Sequence, residues 1–155
     1  MKTLKIAYIV TLTVILGFAL FAGAVVAPVL FNSATSLGEP ILSRFQEGLL
    51  MTNVFVRLSY PLIVICAIAL VYELTQYLTK KSDWIALISM TLMVVTGFLF
   101  GFYFVPEIVH MQAQGALVTQ SALFASIHKT SEICFKITLV SGIVLVVRNM
   151  MKLTR

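Results

Sequence analysis

Four apolar runs, at about residues 6–30, 49–72, 84–106 and 122–147, take up most of a chain of 155 residues. Each is long enough to cross a hydrocarbon core of about 30 Å as a helix rising 1.5 Å per residue. Membrane strands would need shorter segments of alternating polarity, and the sequence has none. The breaks between runs carry turn residues: Asn32, Ser33, Gly38 and Pro40, then Lys80, Lys81, Ser82 and Asp83, then Gln112, Gln114 and Gly115. Ser82 or Asp83 is expected to cap the third helix. Hydrophobic residues make up 60% of the chain and charged ones 11%, with a mean hydropathy of +1.03. A water-soluble domain carries about 25% charge, so that class is excluded. The expected fold is an all-α integral membrane protein, a four-transmembrane-helix bundle in one domain over residues 1–155.

Lysine and arginine near span ends are retained in the cytoplasm. Lys2, Lys5, Lys80, Lys81, Arg148, Lys152 and Arg155 fall on one side, and Arg44 and Lys129 on the other. Both termini are therefore expected to be cytoplasmic, in an inner (plasma) membrane of bacterial type, with Tyr72, Tyr77 and Trp84 in an aromatic belt at the inner interface. The net charge of +5 follows from this asymmetry. No basic run interleaved with aromatics points to nucleic acid. Residues 1–24 also read as a secretory signal, with Lys2 and Lys5 before an apolar core and small residues at Ala22, Gly23 and Ala24; the favoured reading keeps them as the first span.

Sliding the chain on itself by 78 residues brings Ala19, Gly23 and Pro28 onto Gly97, Gly101 and Pro106. With one residue inserted, Phe45 falls on Phe124 and Arg57 on Lys136. This reads as an internal repeat of two tandem helical hairpins, related by a pseudo-twofold along the membrane normal. Ala19, Gly23 and Ala27 on the first helix and Gly97 and Gly101 on the third form strips of small residues where backbones can approach closely. They are expected to join the first and third helices inside one bundle; a homodimer through Gly97 and Gly101 is the competing use. Pro28 and Pro106 near the outer helix ends permit a kink that leaves room between helices.

The informative residues are the charges inside spans. His128, Glu132 and Lys136, spaced by four, form one stripe on the fourth helix, and Asn53, Arg57 and Tyr60 form a stripe on the second. An intramembrane charge costs at least ~2.5 kcal/mol at the bilayer centre, so these groups are expected to face one another in one polar cluster in the outer half, with Glu132 paired to Arg57, Lys136 or both. Two cations against one anion leave a surplus positive charge. It is met by Glu47 or Glu107 folding inward, by a neutral Lys136, or by an anionic ligand such as a carboxylate, a porphyrin propionate or a lipid phosphate. A structural ion-pair network and an ion or proton path are the alternatives. Glu107, His110 and His128 are the weak metal candidates, without the close spacing of a metal motif. Cys66 and Cys134 read as apolar fillers rather than a disulfide. No phosphate loop or serine-nucleophile motif occurs.

Phe21, Ala22 and Gly23, followed by Pro28, Leu30 and Phe31, with Phe45, His128, Lys129, Glu132, Phe135 and Lys136, resemble the four-helix membrane family "domain of unknown function 4149", which includes transmembrane protein 205 relatives. The resemblance implies a four-helix bundle and no established activity. The pattern is distantly similar to CopD-like proteins and HemJ-type protoporphyrinogen oxidases, which share the Phe-Ala-Gly then Pro-x-Leu-Phe spacing. Their haem-ligating histidine falls here on Thr13, and no histidine precedes His110. The resemblance therefore carries the fold and not the oxidase chemistry.

The functional expectation is a small bundle that binds an anionic or amphipathic ligand, lipid or porphyrin-like, at Asn53, Arg57, Tyr60, His128, Glu132 and Lys136, without catalysis of its own. One rival is a haem-linked redox protein with His128 as axial ligand. Another is an accessory subunit whose partner is a second copy or another membrane protein.

Overall fold

All four apolar runs are helical. The computed structural model describes residues 2–80 and 82–153, with Ser36 by its backbone only. Among them four helices are long and apolar enough to span a membrane: Lys2–Phe31, Arg44–Leu78, Trp84–Ala113 and Ala122–Met151. No strand occurs among the described residues. Lys81 and Arg155, counted above with the basic residues, lie outside them.

The second span starts five residues earlier and ends six later than its apolar run. Ser43 explains the start: its hydroxyl accepts from the Gln46 N–H while the Gln46 side chain accepts from the Ser43 N–H, a reciprocal cap that satisfies two otherwise orphaned donors. Ser121 caps the fourth span one way only, its hydroxyl accepting from the Phe124 N–H, and Asp83 caps the third through the Ala86 N–H at 2.9 Å. Polar residues beyond the hydrocarbon continue a helix once its end is capped, and apolar periodicity cannot register them.

The first and third spans each contain a π-helical turn, Ala22–Val26 and Leu99–Phe104. A proline ring clashes with the carbonyl four residues back and supplies no N–H. Pro28 and Pro106 lie just beyond these turns, where the Ala27 and Val105 N–H groups reach back five residues, to the Ala22 and Phe100 carbonyls. The wider turn absorbs the misfit without breaking the span. Shifted by 78 residues, the first π turn falls inside the second, and cap Ser43 falls on cap Ser121.

The spans sit in a ring in chain order, with the fourth closing against the first and the first and third on a diagonal. Outward faces carry exposed Phe18, Val64, Val71, Ile88, Leu92 and Val140, as a surface in contact with lipid requires. Leu12, Leu62, Ile65, Met90, Met93 and Leu145 fill the centre. The glycines correct one expectation. A Cβ on Gly97 would lie 2.6 Å from Cys66 Sγ and 3.4 Å from Thr138, one on Gly101 would meet Ile63, and one on Gly23 would lie 3.2 Å from Phe135. The third span thus approaches the second and fourth, and the first approaches the fourth, with Ala19 fully buried. First and third face each other across the core side chains Leu12, Leu62, Ile65, Met90, Met93 and Leu145, and neither strip of small residues meets the other. Gly97 and Gly101 are covered within the chain and are not free for a homodimer. A hydroxyl bond of 2.7 Å between Thr96 and Thr138 reinforces the third–fourth contact.

At the end holding Lys2 and Met151, Asp83 binds Arg148 at 3.0 Å and Lys152 at 3.2 Å, clamping the second loop to the end of the fourth span. Burial alone would raise the Asp83 carboxyl, but the Ala86 N–H, Arg148 and Lys152 outweigh it and hold it down to about 2. A carboxyl depressed on folding stabilises above its ordinary value of 3.8 and loses that contribution as pH falls toward 2. The gap in thermal midpoint between the parent and Asp83→Asn is therefore expected to be constant above about pH 5 and to close between about pH 4 and pH 2. A gap that stays unchanged across this window would show that the clamp contributes nothing.

Candidate functional site

A cavity of about 940 Å³ lies beside the π turns of the first and third spans, in the half away from Asp83 and Arg148. Its lower wall is apolar, with Leu20, Phe55, Phe100, Phe135 and Leu139. Phe55 meets Phe100 and Phe135 edge-on at 5.7 and 5.2 Å, and Phe100 lies 5.0 Å from Phe135, so the rings make one rigid floor. Its upper wall is mixed: Asn32, Arg44, Gln112 and Gln120 stand among Phe31, Phe45, Ile108 and Phe124. Exposed residues of two spans line it as well: Leu20, Ala24 and Pro28 from the first, His128, Glu132 and Lys136 from the fourth. The cavity therefore opens sideways between those spans.

Two buried polar side chains face this space without a protein partner. Gln112 is 6% exposed and Ser131 4%, both line the cavity, and among the described residues neither side chain forms a hydrogen bond. Their polar atoms are open to the cavity, where water or an occupant serves them. Arg44 at the upper rim is fixed: it donates to the Phe31 carbonyl at 2.9 Å and to Glu47 at 3.2 Å, and stacks over the Phe31 ring. Buried Glu47 also accepts from the Ser33 hydroxyl at 2.6 Å, so it does fold inward, toward Arg44 and Ser33 and not toward Arg57.

The expected single cluster divides in two. Glu132 pairs with Lys136 at 2.5 Å, one turn along the same helix, at the cavity's open side. Asn53, Arg57 and Tyr60 are exposed on the far side of the second span, do not line the cavity, and leave Arg57 with no ion pair or hydrogen bond among the described residues. Depth explains why. Taking Trp84 and the Asp83–Arg148 contact as one interface, about 30 Å of hydrocarbon ends near Asn53, Val105 and His128. Arg57 then lies only one turn inside, about 6 Å, and its long stem lets the guanidinium reach the headgroups without a protein partner.

The metal candidates are not brought together. No group of three or more His, Cys, Asp or Glu side chains converges among the described residues. His110 contacts Gln114 at 3.4 Å, whereas His128 stacks flat on Phe124 at the cavity mouth. His128 is the only histidine lining the cavity among those residues, and Thr13 spends its hydroxyl on the Ile9 carbonyl. Cys66 and Cys134 are free and buried.

Sequence reasoning missed a second polar centre. Glu73 is fully buried near the basic end, where its Oε1 accepts from Asn149 at 2.6 Å and from Tyr8 at 3.3 Å while Tyr8 stacks on Tyr72. Three spans meet there. The available signal was a lone carboxyl one residue past the second apolar run, with Tyr8 and Asn149 at matching distances from the same end.

No curated protein and no solved structure matches the chain. The sequence model of one family, the domain of unknown function DUF4149, matches residues 10–117. Four membrane-type helices and that match over most of the chain agree with the resemblance carried by Phe21–Gly23 and Pro28: the chain belongs to the DUF4149 family.

Proposed function

We propose that this protein binds an amphipathic molecule drawn from the bilayer. The tail would lie on the Phe55–Phe100–Phe135 floor and the polar end would rise past Glu132 and Lys136 toward Arg44 and Gln112. One observation carries the reading: a cavity of about 940 Å³, apolar at its floor and with polar groups confined to its upper wall and open side, that opens between the exposed faces of the first and fourth spans. That volume lies in the range of small-molecule sites, about 300–1,000 Å³. The unpartnered Gln112 amide and Ser131 hydroxyl supply hydrogen bonds to an occupant. No observation favours haem over this reading, since a second axial ligand is lacking among the described residues. The basic-residue asymmetry supports cytoplasmic termini, and in that orientation the cavity would lie in the outer leaflet.

Ala24 lies on the open side and is exposed, so Ala24→Trp fills the opening without entering the core. Mass spectrometry of protein purified in a mild detergent is expected to show co-purified lipid in the parent and at least about tenfold less in Ala24→Trp. Equal lipid in both would remove the cavity from the account.

A further inference from the structure

The carboxylates and basic side chains at the cavity are matched with one another, and its unmatched buried groups are uncharged. Glu132 and Lys136 close on each other at 2.5 Å, and Glu47 balances Arg44 at 3.2 Å while the guanidinium lies over the Phe31 ring. What stays open inside is neutral: the Gln112 amide, the Ser131 hydroxyl and, from the second span, the Thr52 hydroxyl, none with a hydrogen-bond partner among the described residues. Hydroxyls inside a helix commonly bond back to a carbonyl one turn earlier, as buried Thr96, Thr138 and Ser141 do to Leu92, Cys134 and Ile137. Ser131 makes no such bond and lines the cavity. An ionic headgroup drawn into this space would lose its water beside no free counter-charge, or would have to break an existing ion pair. An ester or a hydroxyl needs only a hydrogen bond, which serine, threonine and glutamine supply.

The neutral groups are graded by depth. Counted from the hydrocarbon boundary at Asn53, Val105 and His128, Ser131 lies about 4.5 Å inside it, Thr52 at it, and Gln112 up to about 10 Å outside it. Phe135 is one turn deeper than Ser131, so the apolar floor stays below the polar level. A glycerolipid carries its groups in this order, with tails deepest, ester linkages at the hydrocarbon edge and headgroup outermost. Resting on the cavity reading, we propose that the occupant is a glycerolipid with an uncharged, hydroxylated headgroup. Ser131 and Thr52 donate to its ester carbonyls, the Gln112 amide binds a headgroup hydroxyl, and the tails cross the phenylalanine floor and leave through the sideways opening. Diacylglycerol and a glycosyl diacylglycerol share this chemistry. A sugar has hydroxyls at its edge and C–H groups on its faces, which suits a wall where amides stand among Phe31, Phe45 and Phe124.

The test uses the full chain in nanodiscs holding diacylglycerol, glucosyl diacylglycerol, phosphatidylethanolamine and phosphatidylglycerol in equal amounts with the same acyl chains, followed by transfer to detergent and mass spectrometry of retained lipid. At least one of the two neutral lipids is expected to exceed each phospholipid by about tenfold or more. Excess of the glucosyl lipid assigns the sugar to Gln112, and excess of diacylglycerol alone ends the occupant at its glycerol hydroxyl. Ser131→Ala, a small change, is expected to lower retention of the neutral lipid about fivefold and to leave the phospholipids unchanged. Glu132→Gln frees Lys136 and is expected to raise phosphatidylglycerol at least about fivefold. A parent that holds either phospholipid as well as the neutral lipids, or a Ser131→Ala protein that loses all four lipids equally or none, overturns the headgroup assignment. Ala24→Trp separates the two levels. If it strips all lipid from a protein whose parent shows no neutral preference, the cavity reading stands and the headgroup assignment fails; if it retains lipid as the parent does, both fail.

Discussion

Gly97→Leu is expected to destabilise the bundle by about 3 kcal/mol, read as a thermal midpoint in detergent roughly 6–12 °C below the parent. The cause is local and steric. A Cβ alone would lie 2.6 Å from Cys66 Sγ, and Cys66 is fully buried with its thiol directed at the Met93 carbonyl 3.7 Å away. The sulfur cannot swing into open space, so the third span must move away from the second, and Thr138 on the fourth blocks the other direction. Cys66→Ala removes the obstructing sulfur and is expected to recover part of the loss in the double variant, because residues in direct contact are not additive. Gly101→Ala is milder, since its obstacle is the flexible end of Ile63. A Gly97→Leu protein that melts with the parent would show that the helices are not this close.

Loss of the buried carboxyl at the basic end has the second large effect. Glu73→Ala removes the acceptor shared by Asn149 and Tyr8, which anchors the second span to the fourth and the first. Asn149 keeps one bond, to the Leu145 carbonyl at 3.1 Å, whereas the Tyr8 hydroxyl keeps none among the described residues. A buried donor left without an acceptor costs about 1–3 kcal/mol, and the vacated side-chain volume adds to that. The sum is about 3 kcal/mol. Glu73→Gln retains an acceptor oxygen and nearly the same shape, so its loss is expected near 1 kcal/mol. A thermal series in detergent checks the order parent, Gln, Ala. Glu73→Ala melting above Glu73→Gln would mean that the hydrogen bonds contribute less than burying the polar group costs.

The helical architecture was legible because its signal is redundant: twenty or more apolar residues per run, and the Gly-Pro spacing repeated at 78. Asp83 as a cap and the Glu132–Lys136 pair were legible for the same reason, since each depends only on neighbours three or four residues away. Long-range pairing was not. The small-residue strips announced close approach, but which helix each strip meets depends on the ring order, which spacing along one helix does not encode. Arg57 was placed toward the interior on the principle that intramembrane charge seeks a partner. The interface falls near Asn53 rather than at the start of the apolar run at residue 49, so Arg57 has only one turn, about 6 Å, to snorkel. Glu73 went unnoticed because one carboxyl near a span end reads as interfacial. Its burial follows only when Tyr8 and Asn149 converge from two other spans. The cavity lies against both π turns: Pro28 and Pro106 announced in the sequence that room was available there, and the residues of those turns line it.

Photo-crosslinking in native membranes tests the central claim most directly. A benzophenone amino acid replaces Phe55, an aromatic on the cavity floor, and in a second protein replaces Ile65, which is fully buried in the core and does not line the cavity. Irradiation followed by mass spectrometry of the intact protein is expected to give a lipid adduct at position 55 and none at position 65. No adduct at 55, or equal adducts at both positions, would contradict an amphiphile in the cavity.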